Sequence, residues 1–212
     1  MGAEMPPATC AGDPVRVMLP AGERLLRVHR IDSTFEPEDF NQTICVPPDD
    51  GRFDNVDGTY GHIYVAGSIA GAIAEGILRG SHTPTAVRRF VPRIALAGRA
   101  FTTLELLSPA SLVSLRGPDV GHVCQDGWLT KCDGTAYPLT RAWGAAIRRW
   151  APTTAGMLWW ARKNENEMVA VLYDDRLPMP ALRRMGAPIT IDSGPGLDLV
   201  IALLAAHNVT VL

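Results

Sequence analysis

The sequence predicts a single α+β domain, and three observations predict it. Strand-like alternation and helix-like periodicity follow one another without the regular strand–helix beat of a doubly wound sheet. The 212 residues, 47% hydrophobic and 20% charged, amount to one domain that can bury about 70% of its unfolded surface without staples. No internal repeat, heptad or low-complexity tract divides the chain into modules.

The elements follow in order. Residues 1–20, rich in Pro, Ala and Gly, read as a flexible N-terminal arm ahead of one folded domain at 21–212. Residues 25–30 (LLRVHR) alternate as a first strand. A polar loop rich in Pro and Asp then runs over 35–61. Unstructured loops beyond about 15 residues in compact domains usually serve a function, so this one is marked as a candidate. Residues 62–66 (HIYVA) form a short strand leading into a helix over 68–79. There Ser68 is the N-cap, and Ile69, Ala72, Ile73, Gly76 and Ile77 recur at helical spacing. Residues 101–107 alternate like a strand, and 140–150 form a helix that stops before Pro152. Two apolar runs, 157–162 and 168–173, flank the polar turn 163–167 as a hairpin. A helix over 197–207 and a strand over 209–212 close the chain.

Composition excludes several function classes. Twenty Lys+Arg against 22 Asp+Glu leave a net charge of −2, with no clustered excess of cations for nucleic acid or an anionic membrane. The longest apolar runs fall well short of the ~20 residues a membrane span needs. Only Lys131 and Lys163 are lysine, so cationic work falls to arginine, whose planar fork suits carboxylates and phosphates. Cys10, Cys45, Cys124 and Cys132 show no metal-ligand spacing, which argues against zinc, and the start lacks a signal-peptide pattern. Free thiols in a cytoplasmic protein are the expectation. The dinucleotide fingerprint, the P-loop and the serine-hydrolase elbow are absent. Asp49, Asp50, Asp54 and Asp57 lack the order of a calcium loop.

What remains is a set of polar residues that local structure does not call for. Arg27 and His29 share one face of their strand, where an arginine is costly unless paired. Arg52 sits in Gly51-Arg52-Phe53, Tyr64 is centred in HIYVA, and Glu75 lies in a helix whose wheel neighbours include Gly71 and Ala72. Singly, each has an ordinary reading. Glu75 could pair with Arg79 one turn on for about 0.2–0.5 kcal/mol, Tyr64 could be a core aromatic, and Arg52 a loop cation. Their order is what singles them out.

That order resembles the RES-domain family, named for its arginine, glutamate and serine. The family's first-strand arginine matches Arg27, its aromatic-Asn segment Phe40-Asn41, and its Gly-Arg-aromatic turn Gly51-Arg52-Phe53. A Tyr-bearing strand before an Ala-rich helix with Glu matches Tyr64 and Glu75. A Thr-Arg-x-Trp helix start matches Thr140-Arg141-Ala142-Trp143, and a Gly-x-x-Trp strand matches Gly156-Met157-Leu158-Trp159. The resemblance runs from about residue 24 to 177. It implies a mixed, split central β-sheet with flanking helices, similar to the ADP-ribosyltransferases, and NAD degradation, commonly as the toxin of a toxin–antitoxin pair. One position departs: where the family places its serine the sequence reads Trp159-Trp160-Ala161-Arg162, and the next serine is Ser193.

The chemistry that follows is cleavage of the nicotinamide–ribose bond of NAD, as glycohydrolase or phosphorylase, with NAD as substrate and no metal. Glu75 would stabilise the oxocarbenium-like centre, aided by Arg52 and Tyr64 as catalytic groups. Arg27, His29, Arg52, Tyr64, Thr140 and Trp159 would bind the nucleotide, with Arg27 and Arg52 facing Glu75. Competing readings are transfer of ADP-ribose to a protein or small molecule, a nucleotide-binding module without turnover because Ala161 replaces the serine, and an interaction domain. The resemblance also implies an antitoxin with a helix-turn-helix domain as partner. A homodimer is neither required nor ruled out by the sequence.

Overall fold

The computed structural model describes residues 4–44, 51–78 and 89–212. In chain order its strands are β1 (Arg16–Leu19), β2 (Arg24–Arg30), β3 (His62–Ala66), β4 (Arg89–Val91), β5 (Arg99–Leu106) and β6 (Ala110–Ser114). They continue with β7 (Gly156–Ala161), β8 (Asn164–Tyr173), β9 (Leu182–Arg184), β10 (Ile189–Thr190) and β11 (Val209–Val211). The helices are α1 (Ile69–Gly76), α2 (Trp128–Lys131), α3 (Tyr137–Trp150) and α4 (Gly194–Ala205).

Nine strands form one sheet in the order β1-β6-β7-β8-β3-β2-β5-β10, with β9 also paired to β5. Only β6 and β7 run parallel among the pairs of this sheet, so it is mixed. A parallel ribbon of β4 and β11 stands apart. The predicted α+β class and the mixed, split sheet are what is observed. The split has a location: every residue of β2 aligns with β5 and every residue of β3 with β8, yet β2 and β3 share only Leu26↔Ala66.

Local chemistry explains the central elements. In β8, Val169 to Tyr173 are all buried, so this run is continuously apolar, as a strand covered on both faces requires. α3 buries Tyr137, Thr140, Trp143, Gly144 and Ile147 along one side, with Pro138 in its first turn, where a missing N–H costs nothing. On the helical face of the sheet Phe53, Trp143, Ile147, Met157, Trp159 and Val171 form one core. The opposite face is filled by Leu25, Ile63, Val65, Leu104, Leu158 and Leu172. A third cluster joins Ile73 of α1 to Val200 and Leu204 of α4.

Several boundaries differ from the sequence expectation. Residues 16–19 of the expected arm form β1, aligned antiparallel with β6. Upstream of it, Trp143 and Trp150 donate to the carbonyls of Glu4 and Ala8. α3 begins a turn before Thr140, and β8 begins at Asn164, so the hairpin turn is shorter than 163–167. A register shift between Trp160 and Ala161 absorbs the difference. Strands β4, β6, β9 and β10 have no counterpart in the sequence expectation. Arg79 and Cys45 lie outside the described residues, as do Asp49 and Asp50.

Candidate active site

The cleft opens where the sheet splits. Leu26, Arg27 and Val28 of β2 form one wall, and Tyr64, Val65 and Ala66 of β3 the other. Ala72, Glu75 and Gly76 of α1, with Arg99 and Val169, complete a space of about 200 Å³. α1 is aimed by its cap: the Ser68 hydroxyl accepts from the Gly71 N–H and donates to Glu167. Small residues let α1 lie close to the strands. A Cβ at Gly76 would stand 3.2 Å from Val28 Cβ, so that glycine sets the depth of the cleft.

Glu75 is nearly buried, at 8% exposure, and Arg52 is fully buried. Arg52 Nη1 donates to Glu75 Oε1 at 3.0 Å, and Nη2 donates to the Cys132 carbonyl at 3.3 Å. The guanidinium also lies 5.6 Å from the centre of the Tyr137 ring. Burial alone would lower the pKa of Arg52, but the Glu75 carboxylate and its other neighbours outweigh burial and raise it. Glu75 Oε2 makes no hydrogen bond among the described residues. One carboxylate oxygen is therefore fixed by arginine and the other is buried without a hydrogen-bond partner among the described residues.

The backbone that carries Arg52 is held at each residue. The Gly51 N–H donates to Asp54 Oδ2 at 2.5 Å, Thr140 Oγ1 donates to the Arg52 carbonyl at 2.7 Å, and the Phe53 N–H donates to the Tyr64 hydroxyl at 2.8 Å. A Cβ at Gly51 would meet Asp54 Oδ1 at 2.3 Å and the Tyr64 hydroxyl at 2.7 Å, so only glycine fits there. Trp159 packs edge-on against Phe53 and Tyr64, with ring centres 5.1 and 6.2 Å away.

Of the sequence candidates, Arg27, Tyr64 and Glu75 line the cleft. Arg52, Thr140 and Trp159 are fully buried behind it and reach it through Glu75 and Tyr64. Arg27 does not point its charge at Glu75: its Nη1 donates to the carbonyls of Pro37 and Asp39 at 2.7 and 2.9 Å. Burial pushes its pKa down to about 10 against the pull of Asp39 and Glu38, so it stays cationic at neutral pH. His29 bonds Thr102 Oγ1 at 2.8 Å through Nε2, and burial, reinforced by Arg27 and Arg184, lowers its pKa. It lines a neighbouring groove of about 520 Å³ that meets the cleft at Arg27 and includes Arg30, Phe35, Asp39 and Asn41. Ala161 is fully buried and lines neither space, and Ser193 is the N-cap of α4.

Three residues escaped the sequence reading. Arg99 lines the cleft and donates to the Gly76 carbonyl at 3.2 Å. Asp54 and His62 form a buried pair, His62 Nε2 to Asp54 Oδ1 at 3.1 Å. No local signal marks Arg99 in its run LAGRAF, and in the sequence Asp54 is only one of four acids in a loop. Among the described residues no group of three or more His, Cys, Asp or Glu is placed to hold a metal, and no helix is long and apolar enough to cross a membrane.

Comparisons with known proteins bear on this arrangement. A family model described as the RES domain matches residues 24–191. No curated protein matches the sequence. Among solved structures, a chain in the crystal structure of the M. tuberculosis MbcT–MbcA toxin–antitoxin complex is similar over 89% of this chain and 92% of its own. The TM-score is 0.59 and the identity 16%, a likeness of fold.

Proposed function

The chain belongs to the RES-domain family, and from that premise we propose that it degrades NAD by cleaving the nicotinamide–ribose bond, as the toxin of a toxin–antitoxin pair. The observation that carries this reading is Glu75: a nearly buried carboxylate in a cleft wall, one oxygen held by Arg52 and the other without a hydrogen-bond partner among the described residues. Departure of nicotinamide leaves positive charge on the ribose, and a preorganised carboxylate beside it needs no reorganisation to stabilise that charge.

The other residues divide the work. Arg52 holds Glu75 in place from behind. Arg27 and Arg99 put two cations on the cleft walls, suited to the pyrophosphate of a dinucleotide. The cleft alone is smaller than the roughly 300–1,000 Å³ of usual ligand sites, and the adjoining groove at Arg27 and His29 supplies room for a second moiety. Tyr64 presents its ring to the cleft. The partner would be an antitoxin protein with a helix-turn-helix domain that covers this opening. Its kind rests on the family, and the neighbour's title names a toxin–antitoxin complex.

Incubation with NAD and chromatography of free nicotinamide tests the reading, with Glu75→Gln as control. Release by the parent protein and its loss in folded Glu75→Gln are expected. No release above that control would overturn the reading. Transfer of ADP-ribose would instead appear as a fixed mass increment on an acceptor.

A further inference from the structure

We propose that the groove beside the cleft receives the second nucleoside of the dinucleotide, with Phe35 as the surface on which its base stacks. We further infer that Glu36 and Asp39 exclude a 2′-phosphate there, so that the protein takes NAD and rejects NADP. The inference deepens the proposed reaction, and its kinetic arm rests on that reading.

A dinucleotide has two nucleoside ends and a charged middle, and the two spaces meet in the same order. Arg27 lines both the cleft and the groove. With the nicotinamide ribose at Glu75, the pyrophosphate falls at Arg27 and Arg99, and the other nucleoside enters the groove. The groove is the larger space, at about 520 Å³, as the bulkier purine end requires.

Phe35 lines this groove and is 46% exposed. A single exposed aromatic is ordinary on an open surface. This one faces a concavity from a loop that is tied down at several points. Arg27 Nη1 donates to the carbonyls of Pro37 and Asp39, and Arg184 Nη2 pairs with Glu36 at 2.7 Å and Glu38 at 3.0 Å. Asn41 exchanges both backbone bonds with His62. The loop that carries the ring is thus built in advance, and a base can stack on it with little further ordering.

Charge decides what the groove accepts. Among the described residues that line it, Arg27 and Arg30 face the carboxylates of Asp32, Glu36 and Asp39. His29 adds no cation, because both ring nitrogens are engaged and burial lowers its pKa from an ordinary value of 6.5. Arg30 is held by Asp32 through Nε and Nη2 at 2.8 and 2.6 Å. Counting Arg184 and Glu38 behind the wall leaves the acidic excess as it was. A neutral base and a ribose diol meet this wall without a charge penalty, and the diol can donate to its carboxylates. A 2′-phosphate would set roughly two more negative charges against them. Like-charge juxtaposition is how a site rejects a close relative of its ligand.

The experiment has two arms. In the first, calorimetry on the whole chain compares AMP with adenosine 2′,5′-bisphosphate. AMP should bind, and the bisphosphate should bind at least about tenfold more weakly. Phe35→Ala should weaken AMP on the order of tenfold, the scale of one base–aromatic stack. No binding of AMP at millimolar concentration, equal or tighter binding of the bisphosphate, or AMP affinity indifferent to Phe35→Ala would each overturn the proposal. In the kinetic arm, nicotinamide release from NAD and from NADP is compared for the parent and for Glu36→Gln with Asp39→Asn. The parent kcat/KM should favour NAD by at least about tenfold, and the double variant should bring that ratio toward one. A parent that uses both equally, or a ratio unmoved in the double variant, refutes the exclusion. Phe35→Ala should raise KM for NAD more than it lowers kcat, and should act less on nicotinamide mononucleotide, which carries no second nucleoside. Equal effects on the two substrates count against the stack. The calorimetric arm needs no turnover, so a parent protein that releases no nicotinamide sinks the proposed reaction while the nucleoside subsite is still decided.

Discussion

Removing Glu75 should cost far more stability than an ordinary helix-surface glutamate. Its carboxylate is the charge partner of Arg52, a guanidinium with no exposure to water. Glu75→Ala leaves that cation buried against the Cys132 carbonyl and the Tyr137 ring alone. Breaking a buried pair from one side costs about 3–5 kcal/mol, because the remaining charge keeps its desolvation penalty. For a chain of this size a kcal/mol moves the melting temperature by roughly 2–4 °C, so a fall of about 6–20 °C is expected. Arg52→Ala should cost less, since Glu75 lines the cleft and can be hydrated from it. Replacing both by apolar residues of similar volume, Arg52→Met with Glu75→Leu, should recover much of the loss. Thermal melts and urea titrations of the three variants measure this. A Glu75→Ala protein within about 1 kcal/mol of the parent would show that Arg52 does not depend on its ion pair, and the reasoning would fail.

Other perturbations have equally definite outcomes. Asp54 has a folded-state pKa below its ordinary value, so its stabilising contribution is present above the unfolded value of about 3.9 and is lost as pH falls through the folded one. The stability gap between parent and Asp54→Asn should therefore shrink on acidification below about pH 5, and urea midpoints at pH 7, 5 and 4 that keep a constant gap would contradict it. Ala161→Ser puts a hydroxyl in a fully buried site outside the cleft, so it should cost about 1–3 kcal/mol if unpaired and give no gain in nicotinamide release. A faster enzyme would place residue 161 in the chemistry. Cys10 and Cys124 hold their sulfurs 3.5 Å apart across 114 positions. Oxidised glutathione, reduced to two thiols as the pair closes, should link them and add about 4–5 kcal/mol by chain entropy. A melting temperature unchanged by oxidation, or changed equally in Cys10→Ser, would refute that.

The parts of this fold that were legible in the sequence are those whose cause is local. Ser68 caps α1 through the amide three residues on, and HIYVA is a strand wherever it lies, so β3 and α1 fall within a few residues of their expected bounds. The hairpin was legible from its two apolar runs, but the shift at Trp160 and Ala161 that shortens its turn has no sequence mark. β1 was hidden because RVML reads as a strand only once β6, about a hundred residues later, lies beside it. The candidate site divides the same way. Glu75 stood out by the small residues around it, yet its partner is Arg52, 23 residues earlier. Residue type could not separate a cleft wall from its support. Thr140 and Trp159 are supports, and Asp54 bears on Arg52 through the Gly51 amide beside it.

The placement of unmet polar groups ties these pieces together. Among the described residues, the buried side-chain atoms without a hydrogen-bond partner belong to Arg52, His62, Glu75, Arg148 and Trp159. All but Arg148 are in the cluster that runs from Asp54 through Tyr64 to Glu75. A fold selected only for stability satisfies such groups, since each costs about 1–3 kcal/mol when left unpaired. The sheet makes the same concession at the same place: β2 and β3 part after one aligned pair, giving up ladder hydrogen bonds that β2 makes in full with β5. Backbone and most of these side chains thus accept a cost along one seam. Concentrated cost of this kind is what a site whose missing partners arrive with a ligand would show, which is why the proposed reaction is centred on Glu75.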